Sequence, residues 1–214
     1  MKTPLLVFIF SLLMLMPKSN YAQVVGFTKI SDTSQFQFAF SAAMKNLNTI
    51  KSEFVQVKSF SMLSEKISSK GRFWFKKKDK VRMEYDHPFQ YLLIINQENL
   101  YMKDGNKSNK MNTKSNKLFQ QISRVIVDCV QGTILLNKDF ITTAYENKHK
   151  YLIVITPRGK ELKEFFSSIN VFATKNNFMV EKIEMNESSG DFTTIDFNKR
   201  EQNEILSDSL FIVK

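Results

Sequence analysis

The sequence predicts an α+β fold: a strongly curved antiparallel sheet with helices covering its concave side. Two observations carry this. At Thr49 the apolar period changes from the three- and four-residue steps of a helix to the two-residue step of strands. After it, short apolar runs bounded by turn residues follow one another closely, which is the spacing of antiparallel neighbours. About ten such strands twist enough to curl on themselves, and the hollow side is left for the helices.

The chain opens with Lys2, an apolar run from Leu5 to Met16, and a polar stretch ending at Ala22. That layout reads as a secretory signal peptide over 1–22, cut before Gln23. The run is too short to span a bilayer, which takes about twenty residues. No cysteine lies near the cut for lipid attachment. The remaining 23–214 reads as a single domain, with no linker or repeat.

Residues 34–48 form an amphipathic helix with Phe36, Phe40, Ala43, Met44 and Leu47 on one stripe. Ser34 is placed to cap its start, with Asp32 just before. Strands are expected at 50–60, 65–76, 81–87, 90–96 and 99–103. The polar, basic stretch from Asp104 to Lys117 has no periodicity and reads as a loop. A second helical stripe follows on Leu118, Ile122, Val125, Ile126 and Cys129, ended by Gly132, with another helical turn at 134–136. Strands resume at 140–146 and 150–156. A turn at Pro157 and Gly159 and a helical turn at 161–166 lead to strands at 169–174, 178–186 and 191–198, and to a last one at 209–213.

Composition bounds the chemistry. The formal charge is +10, and Lys2 and Lys18 leave with the signal. Such a balance raises the question of nucleic acid, but export removes that partner, so none is expected. The basic segments 76–80 and 103–117 could serve an acidic partner or anionic lipid head groups, or stand as solvated loops. There is 1 cysteine, so no internal disulfide forms, and Cys129 reads as a small buried residue. The 2 histidines, His87 and His149, sit in turns. There is no metal-ligand spacing, nucleophile elbow or glycine-rich phosphate loop, so neither an enzyme nor a cofactor is expected. Glu84 and Asp86 lie two apart on one strand, with Arg82 on the same face, which reads as an ion-paired surface.

What remains is an apolar wall. In the stretch GRFWFKKKDKVRMEYDHP, Phe73 and Phe75 share one side of a strand, and Val81, Met83 and Tyr85 share one side of the next. With 20 Phe and 10 Met in the chain, this face fits an ordinary core or the wall of a pocket for something oily. Methionine suits walls that accept variable hydrocarbon.

The order Gly-x-aromatic-x-aromatic, basic turn, Val-Arg-Met-x-Tyr-x-x-Pro resembles the LolA family of periplasmic carriers for outer-membrane lipoproteins. Phe54-Val55-Gln56-Val57-Lys58 is similar to the family's Phe-x-Gln-x-Lys strand, and Tyr91 to Asn96 and Leu100 to Met102 stand where its next two strands do. The likeness follows element order over the whole mature chain and is sharp from Ile50 to Asp104. It implies a half-closed β-barrel with a helical lid over a hydrophobic cavity for acyl chains. By resemblance the wall takes Met44 from the first helix, then Val81, Met83, Tyr85, Leu93 and Tyr101; Phe73 and Phe75 join it through the strand face they share. The stripe that begins at Leu118 and Ile122 faces the same cavity. Lys77 stands where the family has a lid-latching arginine, and Lys78 where it has a proline. The resemblance further implies lipoproteins as cargo, an inner-membrane ABC-type release complex as loader and an outer-membrane acceptor. A monomer in the periplasm is expected. Two other readings stay open on the same fold: a carrier of another amphiphile, such as a glycolipid or pigment precursor, and a lipid- or lipoprotein-sensing envelope domain.

Overall fold

The computed structural model describes residues 25–63, 65–115 and 117–213; the expected signal peptide lies outside the described residues. Twelve strands form one antiparallel sheet: β1 (Thr28–Lys29), β2 (Thr49–Ser59), β3 (Lys66–Lys76), β4 (Lys80–His87), β5 (Tyr91–Asn96), β6 (Asn99–Asp104), β7 (Lys107–Asn112), β8 (Phe140–Glu146), β9 (Lys150–Pro157), β10 (Phe166–Thr174), β11 (Val180–Glu187) and β12 (Phe192–Gln202). The spatial order is β1-β8-β9-β10-β11-β12-β2-β3-β4-β5-β6-β7. The sheet is curved and stays open, with β1 and β7 as its edges. Helices α1 (Thr33–Lys45) and α2 (Lys117–Gln131) and the short α3 (Lys160–Lys163) complete the fold, as the α+β reading expects.

Helix α1 buries Phe36, Phe40 and Met44, the stripe read from its spacing. Asp32, not Ser34, is its N-cap and accepts from the Gln35 backbone N–H at 2.9 Å. The stripe packs on β8–β10 around Ile153, Ile155 and Val171. A second cluster lies inside β2–β6, around Phe54, Phe75, Val81, Ile95 and Leu100. Gly71 is fixed there by space: a Cβ would sit 2.1 Å from the Glu84 carbonyl oxygen and 2.8 Å from the Phe54 ring. A third cluster, Trp74, Ile94, Leu206 and Phe211, packs on the opposite, outer face of the same strands.

Three expectations need correction, and one strand, β1, adds to those expected. The segment 104–117 is not all loop, because β7 pairs with β6 from Asp104↔Lys107 to Asn99↔Asn112. As an exposed edge strand its only apolar residue is Met111, so it shows no alternation. Strand β1 has only 2 residues and escaped notice for that reason. The helical turn at 161–166 is α3, and Phe166 already begins β10. The last strand expected at 209–213 is instead a 3-10 turn, Asp208–Phe211, which turns Phe211 onto the outer face.

Candidate functional site

The concave side holds a cavity of about 290 Å³. Its floor comes from β2–β5, through Ile50, Phe73, Met83, Tyr85 and Leu93. The side wall comes from β10–β12, through Ile169, Val171, Ile183, Met185 and Ile195. The roof is Met44 on α1, Leu47 just after it, and Val125, Ile126 and Cys129 on α2. The alternation of strand side chains explains the floor: Phe73, Met83 and Leu93 are cross-strand partners in one row.

Of the residues singled out in the sequence, Met44, Phe73, Met83, Tyr85 and Leu93 line this cavity. Phe75 and Val81 face the same side but are 1% and 0% exposed, packed beneath the floor rather than on its surface. Tyr101 is a correction. Register pairs it with Ile94, and it packs with Trp74, Ile94 and Leu206 on the outer face. Its neighbours Leu100 and Met102 are the inward residues of β6. The expected places of the Leu118 and Ile122 side chains lie outside the described residues.

The lid rests on a few polar ties. Gly132 has a positive φ of 73° and ends α2. Thr133 N–H donates to the Asp128 carbonyl at 2.9 Å, the closing bond of a Schellman motif. A Cβ on Gly132 would lie 2.9 Å from Met44 Cγ, so glycine lets α2 meet α1 closely. Ser41 Oγ donates to the Gly132 carbonyl at 3.1 Å. Gln131 Nε2 donates to Asp79 Oδ1 at 3.0 Å, tying α2 to the β3–β4 turn. Lys77, the expected latch, donates from Nζ to the Lys45 backbone carbonyl at the end of α1, one of the two roof helices. The residue that holds α2 from this turn is thus Asp79, two positions on.

The lining is apolar except at a few points. Tyr85 donates its hydroxyl to Gln56 Oε1 at 2.9 Å. Burial, then Tyr91, pushes the Tyr85 phenol up to about 12. Ser52 is 3% exposed, lines the cavity, and its Oγ has no hydrogen-bond partner among the described residues. Opposite it β12 bulges. Between the pairs Lys51↔Glu201 and Glu53↔Asn198, two residues, Lys199 and Arg200, face Ser52 alone. Lys199 has a φ of 48°, a conformation that costs a non-glycine residue about 1 kcal/mol or more. The bulge puts Arg200 and Gln202 in the lining. Cys129 is buried, and burial, then Asp128, pushes its thiol up to about 12, so it is an inert wall residue. Among the described residues no group of three or more His, Cys, Asp or Glu could hold a metal. Outside the cavity, Arg82 pairs with Glu84 at 2.7 Å and Arg72 with Asp86 at 3.4 Å, the ion-paired surface read from the sequence.

No curated protein matches the sequence. Among solved structures, an uncharacterized conserved protein from Thermus thermophilus superposes with a TM-score of 0.51 at 6% identity, over 85% of this chain and 94% of that one. A LolA superfamily protein from Nitrosomonas europaea gives 0.46 at 10% identity, over 84% and 97%. The Pseudomonas aeruginosa MucA/MucB complex gives 0.46 at 9% identity, over 86% of this chain and 62% of that one. At 6% identity the likeness to the Thermus thermophilus protein shows the fold alone. The sequence itself matches the model of the outer membrane lipoprotein carrier protein LolA across residues 45–214, most of the chain. A match of that extent, on a curved open sheet with its cavity under two helices, makes this chain a member of the LolA family.

Proposed function

We propose that this protein is a periplasmic carrier that shields the acyl chains of lipoproteins and ferries them from the inner to the outer membrane. The observation that carries the reading is the apolar cavity of about 290 Å³ roofed by α1 and α2. An acyl chain in water costs about 0.8 kcal/mol per exposed methylene, so a lipoprotein crosses an aqueous space only if its chains are covered. Met44, Met83, Met179 and Met185 stand in the lining, and their flexible side chains fit hydrocarbon of varying shape.

At about 290 Å³ the cavity lies at the lower edge of ligand-pocket sizes, roughly 300–1,000 Å³. A cargo with several chains therefore needs α2 to move. The polar ties at Asp79 and Ser41 are worth about 1 kcal/mol each, a cost that cargo burial offsets. The sequence has no phosphate-binding loop, so loading and unloading draw on partners: an inner-membrane ABC-type release complex and an outer-membrane acceptor. The carrier acts by binding, not by catalysis, and works as a monomer after removal of residues 1–22.

The test is native mass spectrometry of the protein purified gently from the envelope fraction. The expected companion is a di- or triacylated lipoprotein bound one to one. A glycolipid or another amphiphile as the sole companion overturns the assignment of cargo.

A further inference from the structure

We infer that the cavity has one hydrogen-bonding corner, built by Ser52 and the β12 bulge, which holds the carbonyl of an ester- or amide-linked acyl chain. This deepens the carrier reading and rests on it. The observations come from the cavity wall. Ser52 is 3% exposed, stands in the lining, and its hydroxyl has no partner among the described residues. A buried hydroxyl without a partner is unfavourable unless something supplies one.

The strand opposite is shaped around this point. A regular β12 would set one residue against Ser52, but the bulge sets two, Lys199 and Arg200. Lys199 takes the strained φ of 48°, and its Nζ pairs outside with Glu53 at 2.9 Å. Arg200 joins the lining and is braced by the Val180 carbonyl at 3.1 Å. Gln202 follows it in the lining. Bulges re-aim side chains next to functional sites. Here the result is a hydroxyl, a guanidinium and an amide at one end of an otherwise greasy space.

All three groups can donate a hydrogen bond, and Arg200 can only donate. The matching chemistry is an acceptor without a charge of its own, attached to hydrocarbon. A free carboxylate would also accept, but Glu181 already pairs with Arg200 at 3.4 Å, so a second carboxylate would be desolvated with no free counter-charge. An acyl carbonyl fits, and it fixes direction: the chain lies along Phe73, Met83 and Leu93 with its linkage at the bulge.

The test compares three synthetic cysteine peptides binding to the mature protein: a glyceryl diester of palmitic acid, an N-palmitoyl amide, and a dihexadecyl glyceryl ether that has no carbonyl. The expected result is that at least one carbonyl-bearing probe outbinds the ether by about fivefold to tenfold, the scale of one buried hydrogen bond. Ser52→Ala should erase that advantage, so that the carbonyl-bearing probe binds the variant no better than the ether does. The probe that shows the advantage names the linkage. Equal binding of all three probes by the parent protein overturns the corner and leaves the carrier reading standing, as does an advantage that survives in Ser52→Ala. No binding of any acyl probe overturns both.

Discussion

Strands β3–β6 have two faces, and the chain treats them in opposite ways. On the outer face it packs its own C-terminal segment. Phe211 is 1% exposed against Trp74 and Ile94, and polar bonds hold the strap: Lys76 to the Leu206 carbonyl at 2.7 Å, Arg82 to Leu210 at 3.1 Å and Asn96 to Phe211 at 3.1 Å. On the inner face Met83 and Leu93, one residue away in each strand, meet open space. Both faces are apolar, so hydrophobicity alone does not mark the binding side. The difference lies in what covers them: the outer face has a partner from the same chain, and the inner face borders the cavity.

The comparison can be broken most sharply at Phe211. Phe211→Ala should cost about 3–5 kcal/mol in urea unfolding, as for a fully packed aromatic. Met83→Ala on the inner face should cost about 1 kcal/mol, because it widens a space that already exists. Equal losses would show that the inner face is packed like the outer one.

Next in size is the effect of a charge in the cavity. Met83→Glu and Leu93→Glu put a carboxylate against hydrocarbon, at several kcal/mol if it stays dry. Titration with ANS should show binding weakened at least tenfold in both variants. Tyr101→Glu, on the outer face, should bind the dye as the parent does. Dye binding that survives both inner changes in folded protein removes the cavity from the account.

The lid gives a smaller effect. Asp79→Ala removes the acceptor of Gln131 and should lower the opening free energy of α2 by about 1 kcal/mol. Amide exchange across residues 120–131 should quicken about fivefold, with the strands unchanged. An unchanged rate would leave α2 held by packing alone.

The two faces should also part company with pH. Inside, Tyr85 rises from 10.0 and Cys129 from 9.0, each to about 12, with burial the main cause. Folding favours their protonated forms. That stability is complete below about pH 9 and is lost as pH rises through 12. Outside, hydrogen bonds from Lys76 and Lys80 hold Asp208 at about 2, below its ordinary 3.8. Its contribution is present above pH 3.8 and lost as pH falls through 2. The single tryptophan, Trp74, sits in the outer cluster, so its fluorescence should report the acid change. An alkaline loss of stability absent from the unfolding midpoints would place Tyr85 and Cys129 in water.

Much of this was legible in the sequence because period reports face. The stripe Phe36, Phe40, Met44 and the row Phe73, Met83, Leu93 follow from steps of four and two. Tyr101 was misplaced because a family position was carried over against the local alternation. Leu100 and Met102 already claimed the inner side, and Leu93 pairs with Met102. Strand β7 was lost because an edge strand wet on both faces has no period. Ser52, Asp79 and the β12 bulge could not be read at all. A serine in a strand looks like any serine, and a bulge shows only once two strands are in register. Lys77 was found at the right turn, but which helix a flexible lysine reaches is a matter of tertiary geometry.

The most direct measurement places a photo-crosslinking benzophenone residue at position 83 in one protein and at position 101 in another, in cells making lipoproteins. The account expects a lipid-bearing adduct from position 83 and none from position 101. Adducts from position 101 alone, or from neither site in folded protein, would contradict the claim that cargo occupies the inner face.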